Sequence, residues 1–299
     1  MVVHPVKLCL FAVIIIAVKY CHVIYVPAEP SITSADGETK KESQPKENRS
    51  ISSYWGSDAW KMCHDPDNYF RSTPDLYSVR LRHFITPLDV EIRGYNPLAV
   101  RIVNVIGKST LDRIEQRFLE DQPEEATVFE NGTSIVQSSR IADTLWVPNE
   151  DILAITLRRR LSQFTTINFK NAEQPLIMSY QPGGHYAAHH DCFFPPDYWH
   201  ATMGGRVATA LIIVKKAEKG GGTVFPNHRT VVQPNPGDVI LWFNLNSNGE
   251  QENDSLHGGC PIIKGQKMAV SFWIRDKYQY DLTSPISGKS YRMENLFGW

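Results

Sequence analysis

The chain has 299 residues, enough for one large domain or two small ones, and 42% of them are hydrophobic. Its 31 Lys and Arg nearly cancel its 32 Asp and Glu, leaving a formal net charge of -1. That balance gives no basis for nucleic acid or an anionic membrane surface as the main partner.

Lys7 precedes an apolar run from Leu8 to Val18, and Lys19 ends it. The run suits the apolar part of a signal peptide but is short of the roughly 20 residues that span a bilayer. Residues 1–28 therefore read as a signal peptide, with no membrane span in the mature form. A signal-anchor continuing to Val26 is the alternative. From 29 to 53 the chain is polar, charged and Pro-bearing, a flexible stem. Three sequons, at Asn48, Asn131 and Asn253, fit a glycoprotein of the secretory route. Beyond the leader, Cys63, Cys192 and Cys260 allow one disulfide and one thiol, or no disulfide; the sequence does not choose.

Aromatic residues return at Tyr54 and Trp55, where the folded part is expected to begin. Ser109 and Asp112 resemble a capping box ahead of a helix that turns Leu111, Ile114 and Phe118 to one face. Pro148-Asn149 opens a second helix with Leu153, Leu157, Leu161 and Phe164 at helical spacing, and Arg158, Arg159 and Arg160 read as its solvated face. After Phe169 short apolar runs alternate with Gly- and Pro-bearing turns: 175–180, 207–214, 223–225, 238–243 and 268–274. This is the pattern of an antiparallel sandwich or jelly roll with helices outside it, a mainly β (α+β) fold.

The segment from Gly183 to Asp191 is crowded with potential ligands. On an extended strand His189 and Asp191 face the same way, while His190 faces the other. An H-x-D pair needs a third ligand, and His257 supplies it; two histidines and one carboxylate form the facial set of non-haem iron(II) oxygenases. A zinc site can use similar side chains. Lys267, ten residues beyond His257 at the start of a strand, separates the two. Taken alone it reads as a strand-edge surface residue; in register with the three ligands and aimed into the barrel, its ammonium demands an anion, and a dicarboxylate held by iron at one end and lysine at the other meets that demand. A zinc hydrolase offers Lys267 no task.

These residues, with Arg206 to Thr209, Gly221 to Pro226, Pro234 to Asp238, His257 to Pro261 and Gly265-Gln266-Lys267, resemble the prolyl 4-hydroxylase family in order and spacing from about residue 100 to 273. The resemblance is to the catalytic domain of the collagen-type alpha subunits. It implies a double-stranded β-helix (jelly-roll) core that binds Fe(2+) through His189, Asp191 and His257. It implies 2-oxoglutarate on Lys267, with Tyr180 and Thr209 as co-substrate neighbours. Tyr186, Arg206 and Trp273 would lie near iron-bound solvent or the peptide. Tyr180 and Trp273 could equally be core aromatics, and Arg206 a surface ion-pair member.

The implied reaction hydroxylates peptidyl proline in collagen-like or other Pro-rich chains, consuming O2, releasing succinate and CO2, and using L-ascorbate to rescue over-oxidised iron. A protein disulfide isomerase subunit and the endoplasmic reticulum lumen, or secretion, are the implied partner and location. The expected partition is a domain over 54–280, with a helical flank at 96–170 and the jelly-roll core at 171–280, then a tail at 281–299. This chain has Cys192, Ala188, Met268, Phe272 and Arg275 where the family often has an aromatic, Pro, Trp, Lys and His. A hydroxylase of lysine or another residue, and a non-catalytic jelly-roll binding module, are the competing readings; succinate release and the hydroxylated residue separate them.

Overall fold

The structure, a computed structural model, describes residues 55–69, 75–79, 87–130, 133–193, 196, 198 and 200–298. The expected leader, the stem and the sequons at Asn48 and Asn131 lie outside these. Among the described residues no helix is long and apolar enough to cross a membrane.

The strands that matter run, in chain order, β1 (Asp75–Val79), β2 (Leu88–Tyr95), β3 (Leu98–Ile102), β4 (Glu124–Glu125), β5 (Arg140–Ile141), β6 (Asp143–Trp146) and β7 (Leu176–Tyr180). After them come β8 (His185–His189), β9 (Arg206–Lys215), β10 (Thr223–Phe225), β11 (Thr230–Val232), β12 (Val239–Phe243), β13 (His257–Gly259) and β14 (Lys267–Arg275). They form a nine-stranded sheet in the order β1-β2-β3-β12-β9-β14-β7-β6-β4 and a five-stranded sheet in the order β11-β10-β13-β8-β5. Every pairing in both sheets is antiparallel. Two facing antiparallel sheets with non-sequential neighbours are the jelly-roll architecture the sequence pattern indicated.

Strand alternation divides the core into layers. On β14, Ala269 and Trp273 pack between the sheets, while Met268, Val270, Phe272 and Ile274 pack on the other face. A strand buried on both faces carries almost no polar residue. The exceptions are therefore informative, and Lys267 is one of them: it is 5% exposed. The outer face of the large sheet is covered by α2 (Lys108–Glu120) and α3 (Ile152–Ser162). Leu111, Ile114 and Phe118 of α2, and Leu153, Leu157 and Leu161 of α3, are buried there, as their spacing predicted.

Three expectations need correction. The capping box fails: α2 is preceded by Gly107 with no side-chain cap, and Asp112 instead pairs with Lys108 at 2.8 Å. Of the three arginines on α3 only Arg159 is exposed; Arg158 is buried and donates to the Glu173 carbonyl at 3.0 Å, and Arg160 Nε donates to the Val105 carbonyl at 3.0 Å. Region 96–170 is not simply helical, because β3 to β6 lie within it. The C-terminal tail packs back on the domain: Leu282, Tyr291, Leu296 and Phe297 join the outer core, the last two from a short helix at Met293–Phe297.

The outer face of the small sheet meets α1 (Ser57–His64) through Trp55, Ala59, Val224 and Val231. Cys63 of α1 is bonded to Cys260, just past β13, across a sequence separation of 197. Cys192 keeps its thiol, which donates to Gln251 Oε1 at 2.8 Å. Replacing Cys63 and Cys260 together by Ala is expected to destabilise the fold by about 2–5 kcal/mol, because so long a closed loop strongly restricts the unfolded chain. Calorimetry should show the melting point fall by roughly 5–15 °C, and added reductant should lower the parent but not the double variant.

Candidate metal centre

β8 and β13 pair His189 directly with His257, so two imidazoles start side by side on one face of the small sheet. Asp191 was expected on the same strand as His189. Instead β8 ends at His189, and Asp191 sits in the bend beyond it. That bend still brings its carboxylate between the rings: Oδ1 is 3.5 Å from His189 Nε2 and Oδ2 is 3.5 Å from His257 Nε2. The three ligand atoms lie within 4.8 Å of one another, the separation one metal ion would bridge.

Each imidazole is fixed by its other nitrogen. His189 Nδ1 is 2.8 Å from the Ala187 carbonyl and His257 Nδ1 is 2.9 Å from the Ser255 carbonyl. A carbonyl only accepts, so Nδ1 carries the hydrogen and Nε2 turns its lone pair toward Asp191. Burial pushes His257 down to about 4, so it is neutral at physiological pH and able to bind a metal. For Asp191 burial acts to raise the pKa, but positive charge facing it, from His257 and His189 when protonated and from Arg206, outweighs burial and holds the carboxyl below its usual range. Thr209 Oγ1 donates to Asp191 Oδ2 at 2.6 Å and accepts from Asn244 Nδ2 at 2.9 Å. The resemblance set Thr209 beside the co-substrate; it lines the same cavity, but its hydroxyl hydrogen goes to Asp191. His190 faces Ser255 Oγ at 3.3 Å, away from the ligand set.

Lys267 and Tyr180 face each other across β14 and β7. Both line the cavity that the three ligands line, and so does Trp273. No carboxylate pairs with Lys267 among the described residues, and burial pushes its pKa down to about 8. Its Nζ lies 6.0 Å from the centre of the Tyr180 ring. Burial pushes Tyr180 up to about 12, with Arg140 acting in the opposite sense. Thr223 Oγ1, Trp242 Nε1 and Trp273 Nε1 are also buried without hydrogen-bond partners among the described residues. An unpaired cation and orphaned donors lining one cavity suit an anion held among them. The cavity thus fits Fe(II) at one end and the far carboxylate of 2-oxoglutarate at the other.

At the mouth, Tyr186 stacks on His189 with ring centroids 3.6 Å apart, and Arg140 Cζ lies 4.6 Å from the Tyr186 ring. Arg206 grips Glu173 through two bonds of 2.6 and 2.7 Å and donates to the Asp191 carbonyl at 3.3 Å. Arg206 is thus an ion-pair member, but half-buried and in touch with a ligand's backbone. Arg275 is fully buried and shares Glu173 at 2.7 Å. Arg140, Glu173 and Trp242 were not singled out in the sequence, and Thr223 was noted only as part of the Gly221 to Pro226 segment. Glu173 shows why: its importance comes from two arginines more than thirty positions away.

Residues 175–275 match the 2OG-Fe(II) oxygenase superfamily. The prolyl 4-hydroxylase subunit alpha-2 of Caenorhabditis elegans is 32% identical over 221 residues, covering 72% of this chain and 40% of that protein. The probable prolyl 4-hydroxylase 7 of Arabidopsis thaliana is 30% identical over 168 residues, covering 50% of this chain and 52% of its own. Among solved structures, the viral collagen prolyl hydroxylase from Paramecium Bursaria Chlorella virus-1 aligns with a TM-score of 0.47 at 21% identity, covering 59% of this chain and 95% of that one. This chain carries a 2OG-Fe(II) oxygenase domain. Its homologues are prolyl 4-hydroxylases, and it spans about two fifths of the length of the Caenorhabditis elegans subunit.

Proposed function

We propose that the chain hydroxylates prolyl residues of an extended, Pro-rich or collagen-like peptide, using Fe(II), O2 and 2-oxoglutarate. The observation that carries this reading is the unpaired, buried ammonium of Lys267 in the cavity of the His-Asp-His set. His189, Asp191 and His257 hold the iron, and Lys267 receives the far carboxylate of the keto acid. When bound, the metal and co-substrate supply the oxidative decarboxylation that makes succinate and CO2 and transfers a hydroxyl group. The protein's part is orientation and exclusion of water: Asn244 and Thr209 set the Asp191 carboxylate, and the Ala187 and Ser255 carbonyls set the imidazoles. Tyr186 packs against one ligand, while Arg206 and Trp273 line the way in.

The proposed location is an oxidising secretory compartment, supported by the Cys63–Cys260 disulfide. L-ascorbate is proposed as the reductant that restores oxidised iron. Mass spectrometry of a Pro-Pro-Gly repeat and a Lys-bearing peptide, incubated with the purified chain, tests the reading. A gain of one oxygen on proline, dependent on 2-oxoglutarate, is expected. Oxidation confined to lysine, or turnover without 2-oxoglutarate, would overturn it.

A further inference from the structure

The cavity face of the large sheet does not stop at Trp273. Thr144 and Trp146 of β6 stand opposite Met178 and Leu176 of β7. Leu176, Met178 and Tyr180 all pack between the sheets, and paired residues of neighbouring strands point to the same side. Trp146 therefore carries that face one strand further. It does so at the end remote from Lys267, since Lys267 pairs with Tyr180 and Trp146 with Leu176.

Its ring lies 5.9 Å from Trp273, tilted by 46°. Trp273 carries the Arg206 guanidinium 4.1 Å above its ring, and Arg206 is 4.4 Å from the ring of Phe193. The result is a row of flat groups leading out of the cavity. Within it Trp273 is 6% exposed and Trp146 is 48% exposed. A tryptophan left half in water, continuous with a reaction cavity, is a binding surface awaiting a partner. Arg206 is held by Glu173, so the row offers ring faces rather than a mobile cation.

Resting on the prolyl reading above, we propose that Trp146 is a specificity-determining residue. Its indole face takes the pyrrolidine ring of a residue flanking the one that enters the cavity. Pro-rich chains suit this task because they are already extended, and aromatic-lined grooves recognise them at low ordering cost.

The test compares the full chain with Trp146→Ala and Trp146→Phe. Its substrates are a Pro-Pro-Gly repeat of about ten triplets and a peptide of the same length with one central proline flanked by alanines. Steady-state kinetics and calorimetric titration of each peptide are the readouts. For Trp146→Ala, KM and Kd for the repeat should rise about tenfold, with a much smaller change in kcat. Trp146→Phe should recover most of the loss, and the single-proline peptide should lose less than threefold. Unchanged KM and Kd for the repeat, with the parent hydroxylating it, overturn the role of Trp146 alone. Equal losses for both peptides overturn it too, because they show no preference for a flanking ring. A parent chain that oxidises no prolyl peptide sinks the prolyl reading and this role with it. Because the side chain is half-exposed, both variants should melt within a few degrees of the parent.

Discussion

Asp191→Asn is expected to lower hydroxylation at least about a thousandfold, because it removes the one anionic ligand of the set. His257 is neutral by burial, so Asp191 is the ligand that brings negative charge to the set. An amide at that position keeps the shape but loses the charge, and its nitrogen would face one histidine lone pair. Thr209→Val supplies a graded comparison. It removes the 2.6 Å hydrogen bond to Asp191 and leaves all three ligands in place, so metal affinity should fall about 10–100-fold. Metal content by elemental analysis and succinate release should order the proteins parent, Thr209→Val, Asp191→Asn. Near-parental turnover in Asp191→Asn would show that the metal is held elsewhere.

Lys267→Met is expected to act in two opposite directions. It should weaken 2-oxoglutarate binding at least about a hundredfold, since a desolvated carboxylate loses its ammonium partner in the cavity. It should also stabilise the ligand-free chain. Burial moves the lysine from 10.5 to about 8, which corresponds to a cost of about 3 kcal/mol for keeping it charged at neutral pH. The sign follows from proton counting. Between about pH 8 and 10.5 the unfolded chain holds a proton that the folded chain has released, so the parent gains stability as pH rises through that window. Lys267→Met should lack that gain. In the parent, 2-oxoglutarate binding should weaken above about pH 8 and take up a proton there, because the dicarboxylate needs the ammonium. Urea denaturation at several pH values and titration calorimetry in two buffers measure both effects.

Much of the site was legible before the structure because its key residues are chemically conspicuous. His189, Asp191, His257 and Lys267 stand out by type and spacing, and strand alternation explains why Lys267 faces inward. The covering helices were legible from their buried leucines and phenylalanines. What was not legible depends on contacts made across the chain. Among the strands before Phe169, β4 to β6 are two to four residues long, too short for a period of two to emerge, whereas β2 is eight residues long with Leu88, Val90 and Ile92 alternating, a signal the sequence reading passed over. Leu282, Tyr291 and Phe297 are scattered apolar residues in a polar stretch, and only the outer core gives them a purpose. Arg158 looked solvated beside two other arginines until the Glu173 carbonyl was seen to accept from it. Glu173 and Trp146 gain meaning only from Arg206, Arg275 and Trp273, which arrive from other strands.

The central claim is that one cavity holds a metal on three side chains and a dicarboxylate between that metal and Lys267. Anaerobic calorimetric titration of 2-oxoglutarate into the full chain, with and without Fe(II), tests it most directly. The account predicts one site per chain, tight only with the metal present and lost in both His257→Ala and Lys267→Met. Equal affinity with and without Fe(II), or parental affinity in Lys267→Met, would contradict it.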